Sequence, residues 1–307
     1  MTANLIQKDQ IRDLARKASG LDIKGGSERL KTIMNRLLND MFVMIDDLDI
    51  TMDEVWAATA YLTKGAPELG LIIPGVGLER FLDWRLDEEE RLAGLSGGTP
   101  RAIEGPLYVA GAPISKFEAR LDDGTDDGEV LMMEGQVRDI AGKAVSHAMV
   151  DVWHANTMGN YSYFGPPQSP YNLRRRIETD AEGRYRFRSI MPSGYGCPPG
   201  SSSETLMHAM GRHGMRPAHV HFFVTAPGFR QLTTQINIEG DQYLHDDFAF
   251  GTRDDLIPPV QHITEATEIH KAGLNKSFSK IVFNFTIVKE VAGGPKVTVI
   301  REHGGAH

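Results

Sequence analysis

His219-Val220-His221-Phe222-Phe223-Val224-Thr225 is the stretch on which the reading of this chain turns. It is rich in β-branched and aromatic residues, which predicts a strand. Residues i and i+2 of a strand share a face. The two imidazoles therefore stand side by side, close enough to grip one metal ion. Arg216-Pro217-Ala218 precedes the pair and apolar Phe222-Phe223-Val224 follows it, so the face is interior. A buried imidazole pair is costly unless something satisfies its nitrogens. An isolated pair is also compatible with one core and one surface histidine, so the metal reading needs further donors.

Outward from this strand the chain has two characters. Before about residue 100 the apolar spacing is helical. Positions 30, 33, 34, 37, 38, 41 and 45 follow the i, i+3, i+4, i+7 pattern of an amphipathic helix, with Ser27 as its N-cap. Further helices are predicted over about 11–17, from Thr51 to Leu62, and over 78–95. Beyond residue 105 the signals are strands and turns: 130–139, 148–154, 184–188 after the turn Asp180-Ala181-Glu182-Gly183, 219–225, 232–238 and 280–288. Two stretches, 161–176 and 194–216, read as long irregular loops, which in a compact domain are usually functional. The expected fold is α+β: an all-helical region over 1–104, then an antiparallel β-sandwich over 105–307.

Composition bounds the function. The 307 residues suffice for a sizeable core and two structural units. A net charge of −8 argues against a nucleic-acid partner. The single cysteine, Cys197, excludes an intramolecular disulfide. The first residues lack the apolar core of a signal peptide, and no run of about 18 apolar residues suggests a membrane span. A cytoplasmic protein is expected, with a frayed tail over 301–307.

Two tyrosines in glycine-rich settings are the next candidate donors: Tyr161 in Gly159-Asn160-Tyr161-Ser162-Tyr163-Phe164, and Tyr195 in Gly194-Tyr195-Gly196-Cys197-Pro198-Pro199. Alone, each reads as an aromatic packed into a turn or core. Zinc would want cysteine, histidine or a carboxylate. A ferrous oxygenase site wants two histidines and a carboxylate, yet positions 222–226 hold none. A tyrosine, with a pKa of about 10, ligates only a metal acidic enough to take its proton. Ferric iron is such an ion.

The segments Met158-Gly159-Asn160-Tyr161-Ser162, Asn172-Leu173-Arg174-Arg175, Gly194-Tyr195-Gly196-Cys197-Pro198-Pro199, Gly211 to Phe222, and Leu232-Thr233-Thr234-Gln235-Ile236-Asn237 closely resemble the intradiol ring-cleaving dioxygenases, their catechol-cleaving branch above all. The resemblance spans nearly the whole chain. It implies one Fe(III) per subunit, ligated by Tyr161, Tyr195, His219 and His221. It implies cleavage of catechol by O2, between the hydroxyl-bearing carbons, to cis,cis-muconate. Tyr195 would be the ligand displaced by substrate, and Tyr161 the one that stays. Arg216 would stabilise charge developing on the substrate, with Gln235 as its polar neighbour.

By position the resemblance also implicates a small apolar wall of Leu71, Pro74, Ile103, Pro106, Leu107, Phe248 and Ala249. The small Ala249 favours catechol and methylcatechols. The resemblance further implies a homodimer through about residues 5–50, with a phospholipid held between the helices. Hydroxyquinol- or chlorocatechol-cleaving members are the alternatives within the class. A zinc hydrolase using His219, His221 and Asp241 or Asp246, and a non-catalytic iron- or lipid-binding sandwich, are the alternatives outside it. His154 is expected only to pack.

Overall fold

The computed structural model describes residues 5–290, so the tail expected to fray lies outside the described residues. The chain packs as two compact units that part between Ala66 and Pro67. The first is helical: α1 (Lys8–Ala18), α2 (Glu28–Asp47) and α3 (Met52–Gly65). Ser27 caps α2 by accepting from the Leu30 amide at 3.2 Å. Thr51 and Glu54 cap α3 reciprocally, the Thr51 amide donating to Glu54 at 2.8 Å. Each such cap is worth about 1 kcal/mol. No residue of α2 is buried, and Leu30, Ile33, Leu37 and Met41 of its apolar stripe are exposed.

The second unit opens with α4 (Leu69–Gly75) and α5 (Leu78–Leu92). These two helices, which the 1–104 division groups with the helical region, belong to the unit that holds the sheets. The strands follow as β1 (Ile114–Lys116), β2 (Glu118–Arg120), β3 (Val130–Asp139), β4 (Met149–His154), β5 (Arg174–Glu178), β6 (Arg184–Ile190) and β7 (Tyr195–Gly196). After α6 (Ser202–Ala209) come β8 (Met215–Arg216), β9 (His219–Thr225), β10 (Leu232–Asn237) and β11 (Gln261–Ile263). The described chain ends with α7 (Ala266–Lys271), β12 (Phe278–Val282) and β13 (Phe285–Ile287). Among the described residues no helix is long and apolar enough to cross a membrane.

One main sheet has the order β1-β5-β4-β9-β10; the second runs β11-β12-β3-β6-β2, with β13 also paired to β3, and β7 and β8 pair as a separate two-stranded sheet. The sheets are mixed rather than purely antiparallel. β1 pairs β5, β2 pairs β6, and both β12 and β13 pair β3, all in parallel. Strand direction of this kind depends on long crossovers, which the spacing of apolar residues does not encode. The core lies between the sheets. Val150, Val152, Val220, Phe222 and Val224 from the first face Leu131, Met133, Phe187, Ile281 and Phe285 from the second. Burying each contributes about 1.5–3 kcal/mol.

Three expectations need correction. The segment 280–288 is two strands, broken at Phe283-Asn284, because the Phe283 carbonyl turns in against Gly135. A Cβ at Gly135 would come within 1.7 Å of that oxygen. The segment 194–216 is not wholly irregular. Ser201 caps α6, accepting from the Glu204 amide at 3.1 Å, and the Glu68 carboxylate accepts from the Ser203 amide at 3.0 Å. The last three residues of 161–176 are the first of β5.

Candidate active site

The period of two along β9 sorts its side chains. Val220, Phe222 and Val224 enter the inter-sheet core, so His219, His221 and Phe223 emerge on the opposite face. Antiparallel pairing aligns Gln235 with His221, Asn237 with His219 and Trp153 with His221. That face is covered by the loops that follow β4 and β6, and every one of these side chains is buried. Trp153 stacks on His221, ring centroids 4.9 Å apart and planes within 8°.

Four side chains converge there. The Nε2 atoms of His219 and His221 are 3.0 Å apart, and the Tyr161 hydroxyl is 3.4 Å from His219 Nε2. The Tyr195 ring meets those of Tyr161 and His219, each with centroids 5.5 Å apart. His219 Nδ1 lies 2.6 Å from the Pro217 carbonyl and so donates to it, which leaves the Nε2 lone pair aimed into the cluster. Burial, and then the Arg216 charge, pull the His219 pKa down to about 3. Burial and the His219 neighbour pull His221 well below the ordinary value. Both imidazoles are neutral and able to ligate at physiological pH. Burial and the adjacent Tyr195 raise the Tyr161 pKa well above that of a free phenol.

Arg216 contacts His219 Nε2 through Nη1 at 3.1 Å. One lone pair of His219 thus faces Arg216, Tyr161 and His221 together, while His221 Nδ1 is buried without a hydrogen-bond partner. Electron-pair donors crowded on one point in a buried pocket fit a cation among them. The donor set of two imidazoles and two phenols, with no thiolate or carboxylate, suits a hard, acidic ion.

Arg216 is 3% exposed and fixed from three sides. Its Nε and Nη2 each donate to Asp247 at 3.1 Å, and Nη2 donates to Gln235 Oε1 at 2.9 Å. The Gln235 amide in turn donates to Asn237 at 3.1 Å. Burial alone would lower the Arg216 pKa; Asp247 more than offsets this and holds it above the ordinary value. Burial would likewise raise Asp247, but Arg216 keeps its carboxyl below the ordinary range. A fixed guanidinium is thereby held beside the tyrosine and histidine cluster.

A small cavity opens onto Tyr195 and Arg216. Leu71 and Pro74 of α4, Ile103, Pro106, Phe248 and Ala249 line it. Arg212 ties two of these walls, donating to the Gly75 carbonyl at 2.6 Å and the Phe248 carbonyl at 2.8 Å. Leu107 does not line the cavity and instead packs against the cluster of Trp153, Tyr161 and Phe223. Cys197 and Gly196 line it without having been expected. A wider groove lies on the outer face of the second sheet, where Arg186 pairs with Glu118 and Lys280 with Glu134.

Sequence reasoning missed Asp247, whose acidic run gives no signal that it turns inward. It also missed Trp153, which the alternation of Val150, Asp151, Val152 and Trp153 could have found. The zinc alternative loses its third ligand. Asp241 accepts from the Ala218 and Tyr243 amides, and Asp246 pairs with His213 at 2.9 Å in an exposed position. Among the described residues no group of three or more His, Cys, Asp and Glu side chains is placed to hold a metal. His154 is buried between the Ala155 carbonyl and Ser189 Oγ, both at 2.7 Å, and burial lowers its pKa to about 4.

Residues 103–288 match the family model described as Dioxygenase, and residues 27–94 the one described as Catechol dioxygenase N terminus. The chain is 55% identical over 269 residues to catechol 1,2-dioxygenase 2 of Acinetobacter lwoffii, covering 87% of this chain and 96% of that one. It is 46% identical over 298 residues to catechol 1,2-dioxygenase of Acinetobacter baylyi, covering 95% and 96%. The crystal structure of wild-type catechol 1,2-dioxygenase from Acinetobacter radioresistens superposes with a TM-score of 0.94 at 49% identity, covering 99% of this chain and all of that one. On the strength of these matches, the chain belongs to the intradiol ring-cleaving dioxygenases.

Proposed function

We propose that the protein is a catechol 1,2-dioxygenase, cleaving catechol with O2 to cis,cis-muconate on one Fe(III) per subunit. The observation that carries this reading is the convergence of Tyr161, Tyr195, His219 and His221 beside a small apolar cavity that also receives Arg216. These four side chains would hold the iron, which supplies the Lewis acidity that deprotonates the bound diol and makes it reactive toward O2.

The remaining work falls to the chain. Leu71, Pro74, Ile103, Pro106, Phe248 and Ala249 orient the ring and exclude water. A catechol must lose two protons to bind as a chelate. Tyr195 lines the cavity and is only partly buried, so its oxygen, held as a phenolate when metal is bound, could take one of them on swinging out, the other passing to solvent. Tyr161, 2% exposed, is the tyrosine that stays. His219 is aimed by the Pro217 carbonyl, and His221 is held by the Trp153 stack. Arg216, pinned by Asp247 and Gln235, offers a positive charge where negative charge develops on the ring.

The test is product analysis with labelled dioxygen. Both label atoms should appear in a single ring-opened dicarboxylate; one label atom, or a product opened beside rather than between the hydroxyls, would refute the reading. Comparing kcat/KM for catechol, 4-methylcatechol, 4-chlorocatechol and hydroxyquinol separates the members of the class, and a clear preference for hydroxyquinol would overturn the catechol assignment.

The same reading makes the protein a cytoplasmic homodimer, joined through residues 5–50, with a phospholipid between the helices. The exposed apolar stripe on α2 supports it. Light scattering should return twice the chain mass, and mass spectrometry of an organic extract should find the lipid.

A further inference from the structure

Arg174, the first residue of β5, is 1% exposed, yet among the described residues no carboxylate pairs with it. Its Nε donates to Ser162 Oγ at 2.8 Å and its Nη2 to the Ser162 carbonyl at 3.0 Å. Its Nη1 is buried with no hydrogen-bond partner. A buried guanidinium served only by neutral acceptors is expensive unless an anion is close. The guanidinium carbon lies 5.8 Å from the centroid of the Tyr161 ring and 5.9 Å from that of Phe164. Tyr161, and after it Asp151, Tyr163 and Tyr108, are the acidic groups whose charge acts on it. Asp151 already accepts from Tyr108 at 2.7 Å. Burial lowers the Arg174 pKa only to about 10, so it is charged at neutral pH.

The sheet sets this arrangement. Arg174 pairs across β4 with Trp153, which stacks on His221, so Arg174 stands on the face that carries the site. Ser162 follows Tyr161 directly in sequence. The two hydrogen bonds to Ser162 therefore fix the guanidinium and the tyrosine relative to each other.

We propose that Arg174 is a positioning residue for Tyr161: clamped by Ser162, its buried positive charge sets how strongly the Tyr161 oxygen donates to the metal. The proposal rests on the ferric reading above. A cation beside a phenolate lowers the energy of the phenolate electrons. Promoting one of them to iron then takes more energy, and the visible charge-transfer band moves to shorter wavelength. Removing the cation moves the band the other way.

The test compares iron-loaded wild type, Arg174→Met, Arg174→Lys and Ser162→Ala by visible absorption, with iron per chain measured for each. Arg174→Met should shift the band to longer wavelength at unchanged iron content. Arg174→Lys, which keeps the charge, should return the band most of the way. Ser162→Ala, which frees one side of the guanidinium, should give a smaller shift in the direction of Arg174→Met. A band unmoved in Arg174→Met would overturn the proposal. Should that variant not fold, Arg174→Lys and Ser162→Ala decide: destabilisation of both with the band unmoved means a purely structural arginine. A wild-type protein loaded with iron but lacking any such band would sink the ferric reading and this proposal with it, whereas a band present and immobile sinks the proposal alone.

Discussion

Arg216 and Asp247 meet as a buried, two-bond ion pair, Nε on Oδ1 and Nη2 on Oδ2, each at 3.1 Å. Asp247 also accepts from the Ala249 and Gly251 amides at 3.0 Å, so the carboxylate is itself anchored. Removing one partner of such a pair leaves an uncompensated buried charge. Asp247→Ala should therefore cost about 3–5 kcal/mol of stability, read by urea unfolding. Asp247→Asn keeps the shape and should fold, with turnover lowered because the guanidinium is no longer locked.

Arg216→Leu should lower kcat by roughly 10²–10³, the usual cost of removing one preorganised electrostatic group. Iron content should fall far less than turnover. Equal losses of both, measured by steady-state kinetics and metal analysis, would make Arg216 a structural residue instead.

Gly159 adopts φ +76°, and a Cβ there would lie 2.8 Å from the Tyr195 Cβ. Gly159→Ala should cost about 1–3 kcal/mol through backbone strain and push Tyr195 from its place. Thermal unfolding reads the first effect. A loss of activity at retained fold, beyond what the stability change explains, reads the second.

Asp151 is a carboxyl whose pKa burial raises to about 6, the Tyr108 hydrogen bond only partly opposing this. Its ordinary value is 3.8. The folded state thus holds a proton that the unfolded chain releases between about pH 4 and pH 6, and stability from this group is lost as pH rises across that window. Asp151→Asn keeps an acceptor for Tyr108 and removes the penalty. Its melting temperature at pH 7.5 should equal or exceed that of wild type. The difference between the two should shrink, or reverse in sign, as pH is lowered through 6 to 4.

Ala249 lines the cavity and is 1% exposed. Ala249→Val narrows the wall beside the ring. One methyl group's worth of space is about 1–3 kcal/mol of discrimination, so kcat/KM for 4-methylcatechol should fall roughly 10-fold or more relative to catechol. A uniform loss for both would mean that the wall is not at that ring position.

Much of this was legible before the structure, and for identifiable reasons. Ser27 and Thr51 announce α2 and α3 because a cap is a local hydrogen bond. The shared face of His219 and His221 follows from strand periodicity alone. Tyr161 and Tyr195 carried no local signal above ordinary packing, so they stood as candidates until the family resemblance assigned them as ligands. What was not legible is what arrives from a distance. Asp247 reaches Arg216 across 31 residues of chain, and Ser162 reaches Arg174 across 12. α4 was hidden by the proline and glycines in Leu69-Gly70-Leu71-Ile72-Ile73-Pro74-Gly75, which argue against a helix unless tertiary packing overrides them.

The proposed ferric centre of Tyr161, Tyr195, His219 and His221 is tested best by the visible absorption spectrum of the purified, iron-quantified protein. One iron per chain, a reddish solution, and a band that weakens or shifts in both Tyr161→Phe and Tyr195→Phe are expected. A colourless protein carrying a full complement of ferric iron would contradict the proposed centre.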